Sequence, residues 1–263
     1  MKRIPMKNPL QRRTRLIKID SAADAGMRKQ RLKLSSMSVT FDQISGNVAV
    51  VRREIAVACS RAGRDPQGVR LIAVTKNQEP DVMPMLVAAG VHDFGENRLE
   101  HHEVMSEAAR ASGIAVRFHA MGRIQSRQLP KLARISDVLH SLCEPDHVAR
   151  LARACAERTR LPVFLQVNTS GETAKAGCTI DELPMLLQTV RAQSQLEVVG
   201  LMTMAEEGVA TDRIRATFAQ LKMLAIEHGI PRLSMGMSQD FTIAIEEGAT
   251  DIRIGTRLFA AAP

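Results

Sequence analysis

Lys76 ends the run LIAVTK (71–76), in which apolar residues lead through a threonine to an amine. A lysine amine at a sheltered site can hold an aldehyde cofactor covalently. The plainer alternative is a solvated lysine where a strand meets water. Two further stretches carry anion-binding chemistry. In LSMGMSQD (233–240) a glycine and then Ser238 precede a helical pattern. Helix starts offer unpaired N–H groups, so Ser238 is expected as an N-cap that could also donate its hydroxyl to an anion. A simple capped helix is the competing reading. In RIGT (253–256) Gly255 lets backbone approach a ligand and Thr256 adds a hydroxyl. Arg253 precedes them inside an apolar run. Facing inward, it could meet a heteroaromatic nitrogen and, staying protonated, keep that nitrogen unprotonated. Facing elsewhere, it would pair with Asp251 or a helix carboxylate.

These residues need elements to place them. Short apolar runs occur at Val69–Val74, Val91–Phe94, Val116–Met121, Val138–Leu142, Val163–Val167, Val198–Met204, Leu233–Met235 and Asp251–Ile254. Helical periodicity fills 80–89, 96–111, 126–134, 145–158, 180–193, 211–228 and 239–247, with a further amphipathic stretch at 43–62. Strands alternating with helices imply parallel pairing. The expected fold is α/β: a single (β/α)8 barrel of the TIM type over 37–263, with an extra N-terminal helix. A doubly wound open sheet is the alternative. Barrel chemistry sits at the C-terminal strand ends, and phosphate is often held by the loops after strands seven and eight. The two glycine-bearing turns fall there. Closure sets strand eight beside strand one, so Lys76, the anion cup and Arg253 together describe a pyridoxal 5'-phosphate (PLP) site.

Charge restricts the partners. The chain of 263 residues is +8 overall, but residues 1–36 carry eleven Lys and Arg against two acids. The remainder is therefore nearly neutral, which argues against a specific nucleic-acid surface on the fold. The basic stretch reads as a disordered extension, a transit peptide or an upstream start ahead of Met37. Trp and Tyr are absent and Phe is scarce, weakening any reading based on base stacking. No apolar run reaches membrane-span length. Cys59, Cys143, Cys155 and Cys178 form no CxxC pair or zinc spacing, and read as reduced thiols of a cytoplasmic protein.

RAGRDP (61–66), LIAVTK, FGENR (94–98), HAMGRIQS (119–126), QVNTSGETAKAG (166–177), GLMTM (200–204), LSMGMSQD and RIGT together resemble the pyridoxal phosphate homeostasis proteins. The barrel of that family is similar to the N-terminal domain of alanine racemase. The resemblance implies PLP held as an internal aldimine on Lys76. It implies phosphate bound by Ser238, Gly255 and Thr256 with Ser234 and Met237 nearby, and Arg253 facing the pyridine nitrogen. Asn97 and Asn168 would line the pocket, and Met202 would pack beneath the ring. It further implies a role in cellular PLP supply and in amino- and keto-acid balance without established turnover; a monomer is expected, with PLP-dependent apoenzymes as possible acceptors. The chain departs from the family at Gln125-Ser126-Arg127-Gln128, where QSNK is usual, and in the LFAAAP finish. The alternative is a PLP-dependent amino-acid racemase or lyase. Alanine racemase uses a tyrosine from a second domain as its opposing acid/base, whereas this chain has no tyrosine and ends directly after the barrel. His119 and Cys143 could replace it, although His119 reads better as a satisfied strand residue. Lys175, in the GETAKAG loop, is a second amine to weigh against Lys76; a solvated loop lysine is its favoured reading.

Overall fold

The computed structural model of the chain describes residues 39–157, 160–171 and 176–261. The basic stretch 1–36 and Lys175 lie outside them. A capping box opens the first helix, α1 (Phe41–Arg61): Gln43 N–H donates to Thr40 Oγ1 and Thr40 N–H to Gln43 Oε1. This pairs two amides that a helix start otherwise leaves free. The helix buries Ile44, Val48, Val51, Ile55 and Ala58, the helical spacing read from the sequence. Burial of each larger side chain contributes about 1.5–3 kcal/mol. That face packs on the last elements of the chain.

Eight strands follow: β1 (Arg70–Val74), β2 (Asp93–Glu96), β3 (Arg117–Ala120), β4 (Val138–Leu142), β5 (Leu161–Gln166), β6 (Leu196–Met202), β7 (Arg232–Ser234) and β8 (Asp251–Ile254). They close in sequence order into a parallel barrel, β8 pairing with β1 through Ile72↔Arg253 and Ala73↔Ile254. The open-sheet alternative is thereby excluded. The helices between them are α2 (Val82–Ala88), α3 (Leu99–Ser112), α4 (Leu129–Ile135), α5 (Pro145–Ala154), α6 (Leu183–Arg191), α7 (Thr211–Glu227) and α8 (Phe241–Glu246), with α9 (Thr256–Phe259) after β8.

Strand alternation sorts the side chains into two environments. Ala73, Phe94, Phe118, Leu139, Leu201, Leu233 and Ile252 join the apolar core shared with the helices. The barrel interior receives the other parity, where Val138, Phe164 and Met202 form a small separate apolar cluster. The rest of that interior is polar: Asp93, His119, His140, Ser234, Asp251 and Arg253 are all buried. Gly200 makes room there, since a Cβ on it would lie 2.2 Å from the Phe164 ring.

Several element boundaries differ from the sequence expectation for identifiable reasons. The second strand runs to Glu96, and α3 starts three residues later than expected, because the Glu96 carboxylate is satisfied inside the barrel end. The expected Ser238 cap is also displaced: α8 begins at Phe241, and Asp240 Oδ1 takes the Met237 N–H at 2.5 Å. Among the described residues no helix is long and apolar enough to cross a membrane. Cys59, Cys143, Cys155 and Cys178 form no disulfide with one another.

Candidate functional site

At the C-terminal end of the barrel lies a cavity of about 580 Å³. Lys76, Asn97, Met202 and Arg253 line it from β1, β2, β6 and β8 or the turns that follow them. Met237, Ser238, Gly255 and Thr256 complete the wall after β7 and β8. Eight of the ten residues expected from the sequence therefore converge. Asn168 and Ser234 are not among the lining residues. Asn168 turns its side-chain oxygen to the Ser170 N–H and hydroxyl, closing an Asx-type turn. Ser234 is fully buried and bonds to Arg253 and His140.

The turn that carries Lys76 is held by a carboxylate from the neighbouring strand. The buried Glu96 accepts a hydrogen bond from the Thr75 hydroxyl, one residue before Lys76. Its other oxygen meets His101 Nδ1 at 2.7 Å, and His101 Nε2 meets the Gln78 carbonyl at 2.8 Å. Glu96 and His101 thus bracket the turn 75–78. Burial opposes a charge on His101, but the Glu96 carboxylate and the Gln78 carbonyl outweigh it and raise its pKa. Burial pushes the Glu96 carboxyl up as well. Lys76 itself is exposed, with no carboxylate in ion-pair reach among the described residues.

Arg253 points inward. It donates to Ser234 Oγ at 2.7 Å and to the Thr203 carbonyl at 3.0 Å. Asp251, the alternative partner, is instead occupied by Arg70 at 3.1 Å and Arg232 at 2.5 Å. Burial lowers the Arg253 pKa to about 10, so the guanidinium remains charged at neutral pH. Two of its five N–H donors are used by these bonds, and it still lines the cavity.

Ser234 passes the arrangement downward. Its oxygen accepts from Arg253, so its proton faces His140 Nδ1 at 2.8 Å. His140 Nε2 is 2.8 Å from His119 Nδ1, and His119 Nε2 is 2.8 Å from Asp93 Oδ1. With both histidines neutral, every bond in this chain donates in one direction, ending on the Asp93 carboxylate. Burial and the neighbouring cations drive the His140 pKa well below its usual value, which keeps it neutral. Burial works against the Asp93 charge, but hydrogen bonds from His119 and Arg117 prevail and hold its pKa below the usual carboxylate range. His119 is a satisfied strand residue, as expected. His140 was missed: it sits inside the apolar run VLHSL, and its partner Ser234 is 94 positions away.

The phosphate-type donors come from two turns. Gly255 N–H reaches Ser238 Oγ only at 3.4 Å, a long contact that leaves the hydroxyl available. The segment after Gly255 is tied from outside by α1. Asn47 donates to the Leu258 and Ala260 carbonyls, and Glu54 pairs with Arg257. The extra N-terminal helix therefore buttresses the turn carrying Gly255 and Thr256.

The residues present fit PLP. The amine of Lys76, the hydroxyl-bearing Ser238 and Thr256 with Gly255, and the buried cation of Arg253 all line one cavity. Cys143 lines a neighbouring cavity together with Cys178. Burial raises both thiols, Cys178 to about 12, so neither is a ready nucleophile at neutral pH.

The alanine racemase N-terminal domain family matches residues 47–263. The chain is 38% identical over 221 residues to the pyridoxal phosphate homeostasis protein of Pseudomonas aeruginosa, spanning 83% of this chain and 95% of that one. It is 31% identical to the protein of that name from Escherichia coli K12, over 84% and 97%. Among solved structures, PipY of Synechococcus elongatus with PLP bound superposes with a TM-score of 0.72 at 30% identity, covering 82% of this chain and all of that one. Alanine racemase from Corynebacterium glutamicum shares the fold, with a TM-score of 0.64 at 21% identity over 86% of this chain and 62% of that one. The chain belongs to the pyridoxal phosphate homeostasis protein family, built on the alanine racemase N-terminal fold.

Proposed function

We propose that this chain binds PLP in the 580 Å³ cavity and serves cellular PLP homeostasis as a carrier rather than as an enzyme. The observation that carries the reading is the convergence of Lys76, Arg253 and the turns after β7 and β8 on one cavity. PLP supplies an aldehyde that an amine can capture, and Lys76 provides that amine. Ser238, Gly255 and Thr256 offer hydroxyl and backbone donors for the phosphate. Arg253, fixed by Ser234 and Thr203, keeps N–H groups that would meet the ring nitrogen of bound PLP and so disfavour protonation there. Met202 supplies an apolar floor, and Asn97 a polar side wall.

The carrier reading draws support from two sides. The relatives are named as homeostasis proteins. The two residues that could have served as an opposing acid/base lie away from the cavity: His119 is sealed between Asp93 and His140, and Cys143 faces the neighbouring cavity. In this reading the protein acts in the cytoplasm as a monomer, passing cofactor to PLP-dependent apoenzymes.

Absorbance titration with PLP tests it. The full chain is expected to gain a saturable visible band that Lys76→Ala lacks. Added amino acids should perturb the band without accumulating product. Sustained product formation would support the racemase or lyase reading, and a band without saturation would remove the site.

A further inference from the structure

Lys76 sits in a turn that Gln78 N–H closes by donating to the Thr75 carbonyl at 2.8 Å. Both ends of this turn are tied to one pair of side chains. At its front the Thr75 hydroxyl donates to Glu96 Oε1. At its back the Gln78 carbonyl lies 2.8 Å from His101 Nε2. The pair joins between His101 Nδ1 and Glu96 Oε2 at 2.7 Å. Lys76 itself projects to the wall of the PLP cavity.

These contacts fix a count of protons. The Gln78 carbonyl only accepts, so His101 Nε2 carries a hydrogen. The contact at Nδ1 then needs one more proton, held either by the ring as imidazolium or by Glu96 as the neutral acid. Without it a ring lone pair would face a carboxylate oxygen at 2.7 Å. The Glu96 side chain is 0% exposed, and an unpaired carboxylate there would be costly. Of the other titratable groups acting on His101, Glu79 favours its charged form, and His102, its neighbour on α3, is kept neutral by burial.

We propose that Glu96 and His101 are positioning residues for cofactor capture, sharing one proton that clasps the turn 75–78 and holds the Lys76 amine at the cavity. The inference rests on the reading that Lys76 captures PLP. In alkali the shared proton leaves, the contact at Nδ1 becomes repulsive and the turn loosens. Capture then slows on this account, against the general rise in lysine reactivity with pH.

The test follows the rate of PLP capture by the full chain, read from the visible band, between about pH 7 and about pH 10. Glu96→Ala removes the clasp. Glu96→Gln keeps its bonds with no shared proton, because the amide oxygen accepts from Thr75 and an amide N–H donates to neutral His101. Glu96→Ala is expected to capture PLP about tenfold more slowly at neutral pH, the scale of a misplaced reacting group. Glu96→Gln should return close to the rate of the unaltered chain. The ratio of the unaltered rate to the Glu96→Gln rate cancels the pH dependence of the amine, and should fall as pH rises through the His101 titration. NMR of the His101 ring nitrogens in the PLP-free chain should place that titration above that of an ordinary histidine, and lower it in Glu96→Gln. An unchanged rate in Glu96→Ala, a Glu96→Gln rate as slow as that of Glu96→Ala, a ratio independent of pH, or an ordinary His101 titration would each overturn the proposal. Should Glu96→Ala fail to fold, the ratio and the titration decide without it. No uptake by any form would overturn the cofactor reading and the positioning role with it, while the His101 titration separately decides the shared proton.

Discussion

The two ends of the barrel interior treat charge in opposite ways. At the N-terminal end Asp251 is gripped by Arg70 and Arg232, and Asp93 by Arg117 and His119. Each buried carboxylate there has its cations. At the C-terminal end Glu206, Glu207 and Asp240 share the cavity wall, yet Lys76 and Arg123 have no carboxylate in ion-pair reach among the described residues, and Arg253 donates to neutral oxygens. Matched charge closes one end and stabilises it. Unmatched positive charge leaves the other end able to take an anion. The Ser234–His140–His119 chain joins the two, so the guanidinium at the floor of the cavity is held in place from the closed end.

Breaking the closed end should give the largest effect. Asp251→Ala leaves Arg70 and Arg232 facing each other without their carboxylate. A loss of about 3 kcal/mol in urea unfolding is expected, with PLP uptake retained well below the melting temperature. Loss of uptake without loss of stability would reverse the assignment of the two ends.

Acid should act through the buried histidines. Burial lowers the His102 pKa to about 4, whereas the unfolded chain takes up that proton near pH 6.5. Between these values the unfolded state binds more protons, so stability falls as pH falls from 6.5 to 4. His102 alone accounts for about 3 kcal/mol of that fall, and His140 adds to it in the same direction. Thermal unfolding across this range should show the decline, and His102→Phe should flatten it. Asp93, with its lowered pKa, loses its contribution only at still lower pH, as its folded-state carboxylate is protonated.

The open end should respond in binding rather than in folding. Arg253→Gln removes the buried cation, and PLP affinity by absorbance titration is expected to fall by about 2 kcal/mol, some thirtyfold. Ser238→Ala removes one hydroxyl, with an expected loss of about 1 kcal/mol in the same assay. Equal effects of the two would mean that Arg253 does not face the ligand.

Much of this organisation was legible in the sequence, for a physical reason. Parallel strands buried on both faces leave short apolar runs, and amphipathic helices leave a 3.6-residue period. The alternation at Val69–Val74, 80–89 and onward therefore carried the barrel. The placement of Lys76, Gly255 and Thr256 on the cavity wall was legible because strand ends are where apolar runs stop. Depth inside the barrel was not. Ser234 lies in the same motif as Ser238, yet it points into the interior below the cavity, and strand parity alone does not give its height. Glu96 reads as a helix residue, but its partners Thr75 and His101 keep it on the strand. The Asp93–His119–His140 chain was hidden because its members come from three different strands.

The central claim is that Lys76 is the residue that captures PLP. The most direct measurement is borohydride reduction of the PLP-treated full chain, followed by mass spectrometry of its peptides. The account predicts one dominant pyridoxyl adduct, on the peptide containing Lys76, and none there in Lys76→Ala. A dominant adduct on Lys175 or another lysine, or no adduct at all, would contradict it.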